Sequence, residues 1–125
     1  MKFFLILIYA AIFGGLIAFV VIRGSALKPE PWSTPAKNGR TAEIKRMVEA
    51  GLSPNAEDRN GETPLSLAMK NGQLGTSAYL LSVGADPTHV NKQGQSILQV
   101  VEATAEDKNV ARWFSLKLKE YSEAK

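Results

Sequence analysis

His89 is the single imidazole in the chain, and cysteine is absent. Acid–base or nucleophilic catalysis therefore has one place to start. A serine nucleophile needs a base and a group that orients the base. Ser66 and Ser96 fit helix positions and have no such company. A metal site needs several converging ligands, and the sequence brings none together around His89. Glu57, Asp58 and Asp86 are spaced as turn and cap residues, not as a paired acid and base. The glycines recur at a fixed period instead of clustering into a phosphate-binding loop. The expectation is no enzyme, no catalytic residue, no cofactor, no metal and no small-molecule substrate. His89 reads as an exposed loop imidazole, with a pH-sensing or partner-contacting role as the alternative.

The glycine period points to the elements instead. Gly51 recurs as Gly84, Gly39 as Gly72 and Gly61 as Gly94, each 33 residues on. Pro54 recurs as Pro87, and Asn38-Gly39 as Asn71-Gly72. Chemistry repeating at this period marks a solenoid, whose units bury their apolar faces only against neighbours. The middle unit predicts a turn, a short helix, a stop, a second helix and a stop. Thr63 can cap the first helix, and Pro64 suits its first position because it has no N–H to lose. Leu65, Ala68 and Met69 fall on one helical stripe. Leu74, Ala78, Leu80 and Leu81 lie on the second helix. Gly84 ends it in the left-handed conformation, where a β-carbon is unfavourable.

Gly61, Thr63, Pro64, Leu65, Ala68, Gly72, Leu80, Leu81, Gly84, Ala85 and Asp86 carry a resemblance to the ankyrin repeat family. Ser66 replaces that family's usual histidine, which implies a missing side-chain bond between repeats. The flanking units depart further. The first squeezes its leading helix into residues 32–37, with prolines at 31 and 35. The third has Ile97 for proline, Ala105 for the helix-breaking glycine, and Trp113 and Phe114 at the paired-leucine positions. Trp32 is expected to cover the first repeat, and Trp113, Phe114, Leu116 and Leu118 to thicken the last.

Residues 3–22 form an uncharged stretch of 20 residues. A helix of that length, rising about 1.5 Å per residue, spans a hydrocarbon core of about 30 Å. The expectation is a retained single-pass anchor, with a cleaved signal as the rival reading. Ala10, Gly14 and Ala18 are four apart and are candidates for membrane helix packing. Counting Lys and Arg near the span mildly favours repeats in the cytoplasm. The short basic start favours a bacterial inner-membrane protein with repeats on the periplasmic side, which is the preferred reading. Prolines at 29, 31 and 35 mark a linker.

The expected fold is all-α: an ankyrin-type helix-turn-helix solenoid of about two and a half repeats, preceded by one N-terminal transmembrane helix. The expected organisation is an anchor at 1–23, a linker at 24–35, the repeat domain at 36–121 and a tail at 122–125. The formal net charge is +3. Without Lys2 and Arg23, which flank the apolar stretch, 13 basic and 12 acidic residues remain. No basic stripe or aromatic series is present to bind nucleic acid.

The resemblance implies protein binding through turn tips and a concave helix face. The tip candidates are Asp58, Arg59, Asn60, Asn91, Lys92 and Gln93. The concave candidates are Ser66, Met69, Lys70 and Gln99. The expected function is a membrane-tethered protein-protein interaction module. The alternative is a small structural subunit of a membrane protein complex, its span packed on other subunits.

Overall fold

Thr63 shows how this sequence starts a helix. Its backbone is extended, and its hydroxyl accepts the N–H of Ser66 at 3.2 Å. The Ser66 hydroxyl accepts the Thr63 N–H at 2.8 Å in return. This reciprocal box satisfies two N–H groups that have no partner inside the helix. Ser96 and Gln99 build the same box one repeat later. Ser66, in place of the family's histidine, thus serves its own helix.

The computed structural model describes residues 29–125. Among them are six helices, α1 (Ser33–Lys37), α2 (Thr41–Glu49), α3 (Pro64–Lys70), α4 (Leu74–Ser82), α5 (Ile97–Thr104) and α6 (Lys108–Glu123). No strand is present among the described residues; the nearest thing is one antiparallel bridge, Val90 to Ser96. The all-helical arrangement fits an ankyrin solenoid. Helices α1, α3 and α5 pack in an inner row, α2 packs on α4 in an outer row, and each inner helix packs on the helix that follows it.

The core runs through the stack without a break. Trp32 from the first unit joins Ile44, Leu65, Met69 and Leu80, then Val101 and Phe114 from the last. All are buried, Trp32 at 3% exposure and the others at none. Trp32 therefore covers the first repeat, as its position suggested. Helix α1 is short, five residues, and starts at Ser33, inside the stretch that its prolines mark as linker. Polar contacts stitch the rows together. The Thr41 and Thr76 hydroxyls are 2.7 Å apart across α2 and α4, and Gln73 Nε2 donates to the Lys37 carbonyl at 3.1 Å.

The last unit is less regular. Helix α5 ends at Ala105 with extended backbone, ψ 126°, where the other repeats have a glycine stop. Helix α6 runs 16 residues, against nine in α2 and α4. Helix α6 packs on α5, while a cleft of about 370 Å³ lies between it and α4, lined by Ala78, Leu81, Lys117 and Tyr121 among others. Phe114 and part of Trp113 and Leu118 close the core. Leu116 does not; it is 56% exposed.

The expected single-pass membrane localisation, periplasmic or cytoplasmic in its repeats, is corrected. No helix among the described residues is long and apolar enough to cross a membrane. The longest, α6, spans about 24 Å at 1.5 Å per residue and carries Arg112, Lys117, Lys119, Glu120 and Glu123 along its length. The apolar stretch at 3–22 and the packing candidates Ala10, Gly14 and Ala18 lie outside the described residues.

Gly84 has φ +99°, and a β-carbon built there meets nothing within 4 Å. A side chain at this stop is opposed by the backbone alone. Gly84→Val is expected to lower unfolding free energy by about 1–2 kcal/mol, and Gly84→Asn by less, because Asn tolerates this conformation. Leu80→Ala, which opens a cavity in the core, is expected to cost about 2–5 kcal/mol. Urea unfolding followed by circular dichroism measures all three.

Candidate functional site: the turn tips and the inner groove

Two exposed turns project from the inner row, and their shape is set by side chains that fold back on their own backbone. Asp58 Oδ1 accepts the N–H groups of Asn60 at 2.8 Å and Glu62 at 3.0 Å. Asn91 Oδ1 does the same for Gln93 at 3.0 Å and Gln95 at 2.9 Å. These are Asx-type turns, in which a short polar side chain stands in for a backbone acceptor. The two tips then join: Lys92 N–H donates to the Asn60 carbonyl at 3.2 Å. Gly61 makes that join possible. Its φ is +75°, and a β-carbon there would lie 2.9 Å from the Lys92 nitrogen.

His89 fastens the tips from the side. Its Nε2 lies 2.7 Å from the Gly61 carbonyl and 3.1 Å from Glu57 Oε1. A carbonyl can only accept, so Nε2 carries the proton and donates to Gly61, with the Glu57 carboxylate lying beside it. The His89 side chain is 21% exposed. The exposed loop imidazole expected from sequence is thus a half-buried brace between repeats. On the other flank, the Asn55 amide donates to the Gly84 carbonyl at 3.1 Å and accepts the Asp86 N–H at 2.7 Å.

Below the tips, Glu62 is 6% exposed. Its Oε1 accepts from Lys70 Nζ and from Asn91 Nδ2, each at 3.3 Å. Burial pushes this carboxyl up, but the Ser66 hydroxyl, the Asn91 amide and the Lys70 ammonium around it outweigh that and hold it below its ordinary value. Asp86 is also lowered, chiefly by the Thr88 hydroxyl, which donates at 2.6 Å. A cleft of about 460 Å³ runs between tips and inner helices, with Lys37, Lys70, Asn60 and Gln93 on its walls and Glu62 and Leu67 on its floor.

The ten residues proposed from sequence for partner contact separate into three groups. Arg59, Asn60, Lys70, Lys92 and Gln93 are exposed at the tips and groove. Asp58, Asn91 and Gln99 are committed to turns and a helix cap. Ser66 and Met69 are buried, at 4% and 0% exposure, so neither reaches the surface. Helical spacing put Met69 on the apolar stripe and the resemblance put it on the concave face; the stripe prevails. Sequence reading missed Lys37, Glu62 and Gln95, whose places in the groove depend on stacking between repeats. Among the described residues no group of three or more His, Asp or Glu side chains is placed to hold a metal ion.

The family model described as ankyrin repeat matches residues 60–92. The chain is similar to an ankyrin repeat-containing protein of Schizosaccharomyces pombe, 32% identical over 78 residues, which cover 62% of this chain and 37% of that protein. It is similar to cyclin-dependent kinase inhibitor 2A of Homo sapiens, 36% identical over 66 residues, 51% of this chain and 42% of the relative. It is also similar to protein lin-12 of Caenorhabditis elegans, 41% identical over 61 residues, 49% of this chain and 4% of the relative. The chain thus spans less than half the length of each. These similarities support the ankyrin repeat family.

The carboxyl shifts give a pH dependence with a definite sign. A carboxyl lowered in the folded state stabilises that state wherever it is ionised in both states. The contribution is complete above the ordinary values, 4.5 for Glu62 and 3.8 for Asp86, and is lost as pH falls through the lowered folded values. Unfolding free energy is expected to decline on acidification below about pH 4.5. Glu62→Gln should flatten that decline, as read by denaturant titrations between about pH 3 and 7.

Proposed function

We propose that this protein is a protein-protein interaction module that holds its partner between the turn tips and the inner groove. The observation that carries the reading is the braced pair of tips. Asp58, Asn91, His89 and the Lys92–Asn60 backbone bond fix two exposed loops in one relative position. A surface fixed before binding loses less conformational freedom on association. The exposed polar side chains on these loops make no catalytic arrangement, and a binding role uses them as they stand. The similarity to ankyrin repeat proteins supports the same reading. One relative carries the name of a cyclin-dependent kinase inhibitor, but the identity of this chain's partner is not carried over from it.

Within this reading Arg59, Asn60, Lys92 and Gln93 meet the partner at the rim, and Lys70 meets it in the groove. Asp58, Asn91 and Gln99 act indirectly by holding shape. Ser66 and Met69 contribute only to folding. Replacing Arg59, Asn60, Lys92 and Gln93 together by alanine is expected to abolish partner capture from an extract by the full chain while leaving its circular dichroism spectrum and melting curve unchanged. Partner capture that persists in this variant would place the interface on another face.

A further inference from the structure

A census of hydrogen-bonding groups in the groove identifies what can occupy it. The carboxylates are spent on the protein itself: Asp58 on two backbone N–H groups, Glu62 on Lys70 and Asn91. Asn91 is spent too, since both ends of its amide are bonded inside the repeat array. The side-chain carboxamides of Asn60 and Gln93 remain, each without a side-chain partner among the described residues and each exposed on the groove wall. Gln95 uses its oxygen on Asn91 and keeps its N–H groups. Asn71 donates to the Leu67 carbonyl and keeps its oxygen.

Set apart from the exposed Lys37 ammonium, these leftovers share one chemistry. A carboxamide offers an N–H and a C=O, the complement of the N–H and C=O of a peptide unit. Charge adds a second constraint. Two cations, Lys37 and Lys70, face two anions, Asp58 and Glu62, in the same cleft. A charged ligand entering it would give up hydration and meet no net opposite charge. A third constraint is the lack of an apolar pocket. Leu67 on the floor is only 5% exposed, so no slot exists for an aromatic or aliphatic anchor.

We propose that the groove takes an extended, uncharged polar peptide segment and reads it through its main chain, with the carboxamides of Asn60 and Gln93 pairing to its peptide groups. A helical segment is disfavoured because its peptide groups are already bonded to one another. The proposal rests on the binding reading above and adds the chemical class of the occupant.

The test is to pan the full chain against a random dodecapeptide display library and to synthesise the enriched sequences. The expected peptides carry no net charge, and their affinity changes by less than about twofold between low and high salt, because no screened charge pair holds them. Methylation of alternate main-chain nitrogens is expected to weaken binding by about tenfold or more, since each removes a donor. Asn60→Ala with Gln93→Ala should weaken the unmethylated peptides similarly, with an unchanged melting curve. Strongly charged peptides with steep salt dependence, or indifference to methylation, would overturn the proposal; if their binding still fell on substituting Asn60 and Gln93, the interaction reading would survive. Peptides indifferent to both substitutions would overturn both readings at this groove, and a selection that enriches nothing would overturn the peptide proposal.

Discussion

Each helical pair in this protein lacks a core of its own. Helix α3 has seven residues and six of them are buried, which a single partner helix cannot achieve. It lies against α4, α1 and α5 together, so both neighbouring repeats have to form for the middle one to be dry. Short helices of this length are marginal in water by themselves. Their stability is therefore lent by neighbours, and the middle unit, with neighbours on both sides, is the clamp of the array. The ends need other cover, which Trp32 supplies at one side and Phe114 at the other.

The same stacking creates the surface proposed to bind a partner. Two turns one repeat apart are brought side by side, and the join runs through backbone and side chain alike. Gly61 admits the Lys92 nitrogen where a β-carbon would obstruct it, and His89 donates back to the Gly61 carbonyl. Acidic groups that a sequence presents as potential chemistry are consumed in this bracing. Asp58 and Asp86 shape turns, and Glu62 lies buried against Lys70. What faces outward at the tips and groove includes the carboxamides of Asn60 and Gln93 and the amines of Lys37, Lys70 and Lys92.

Much of this was legible because it is local. Thr63-Pro64 at a helix start and glycines at a 33-residue period each have a meaning that neighbours in sequence supply. The buried stripe of Leu65, Ala68 and Met69 follows from helical spacing alone. What was not legible is what depends on the next repeat. The role of His89 is decided by a carbonyl 28 residues away, and Glu62 enters the groove only once Asn91 reaches it. Ser66 and Met69 seemed available to a partner because a concave position was assigned by resemblance, whereas stacking of α3 between α1 and α5 buries both. The replacement of glycine by Ala105 was visible, but the cleft between α6 and α4 needed the third dimension. The membrane reading rested on residues 3–22, and no helix among the described residues resembles a span.

Native-state amide hydrogen exchange on the full chain tests most directly whether the middle unit clamps the stack. The amides of α3 from Leu67 to Lys70 are expected to exchange slowest, through global unfolding only, with those of α1 and α6 exchanging faster through local opening at the ends. Amides in α1 or α6 that outlast those of α3 would contradict the account, because an end unit would then be holding the middle one in place.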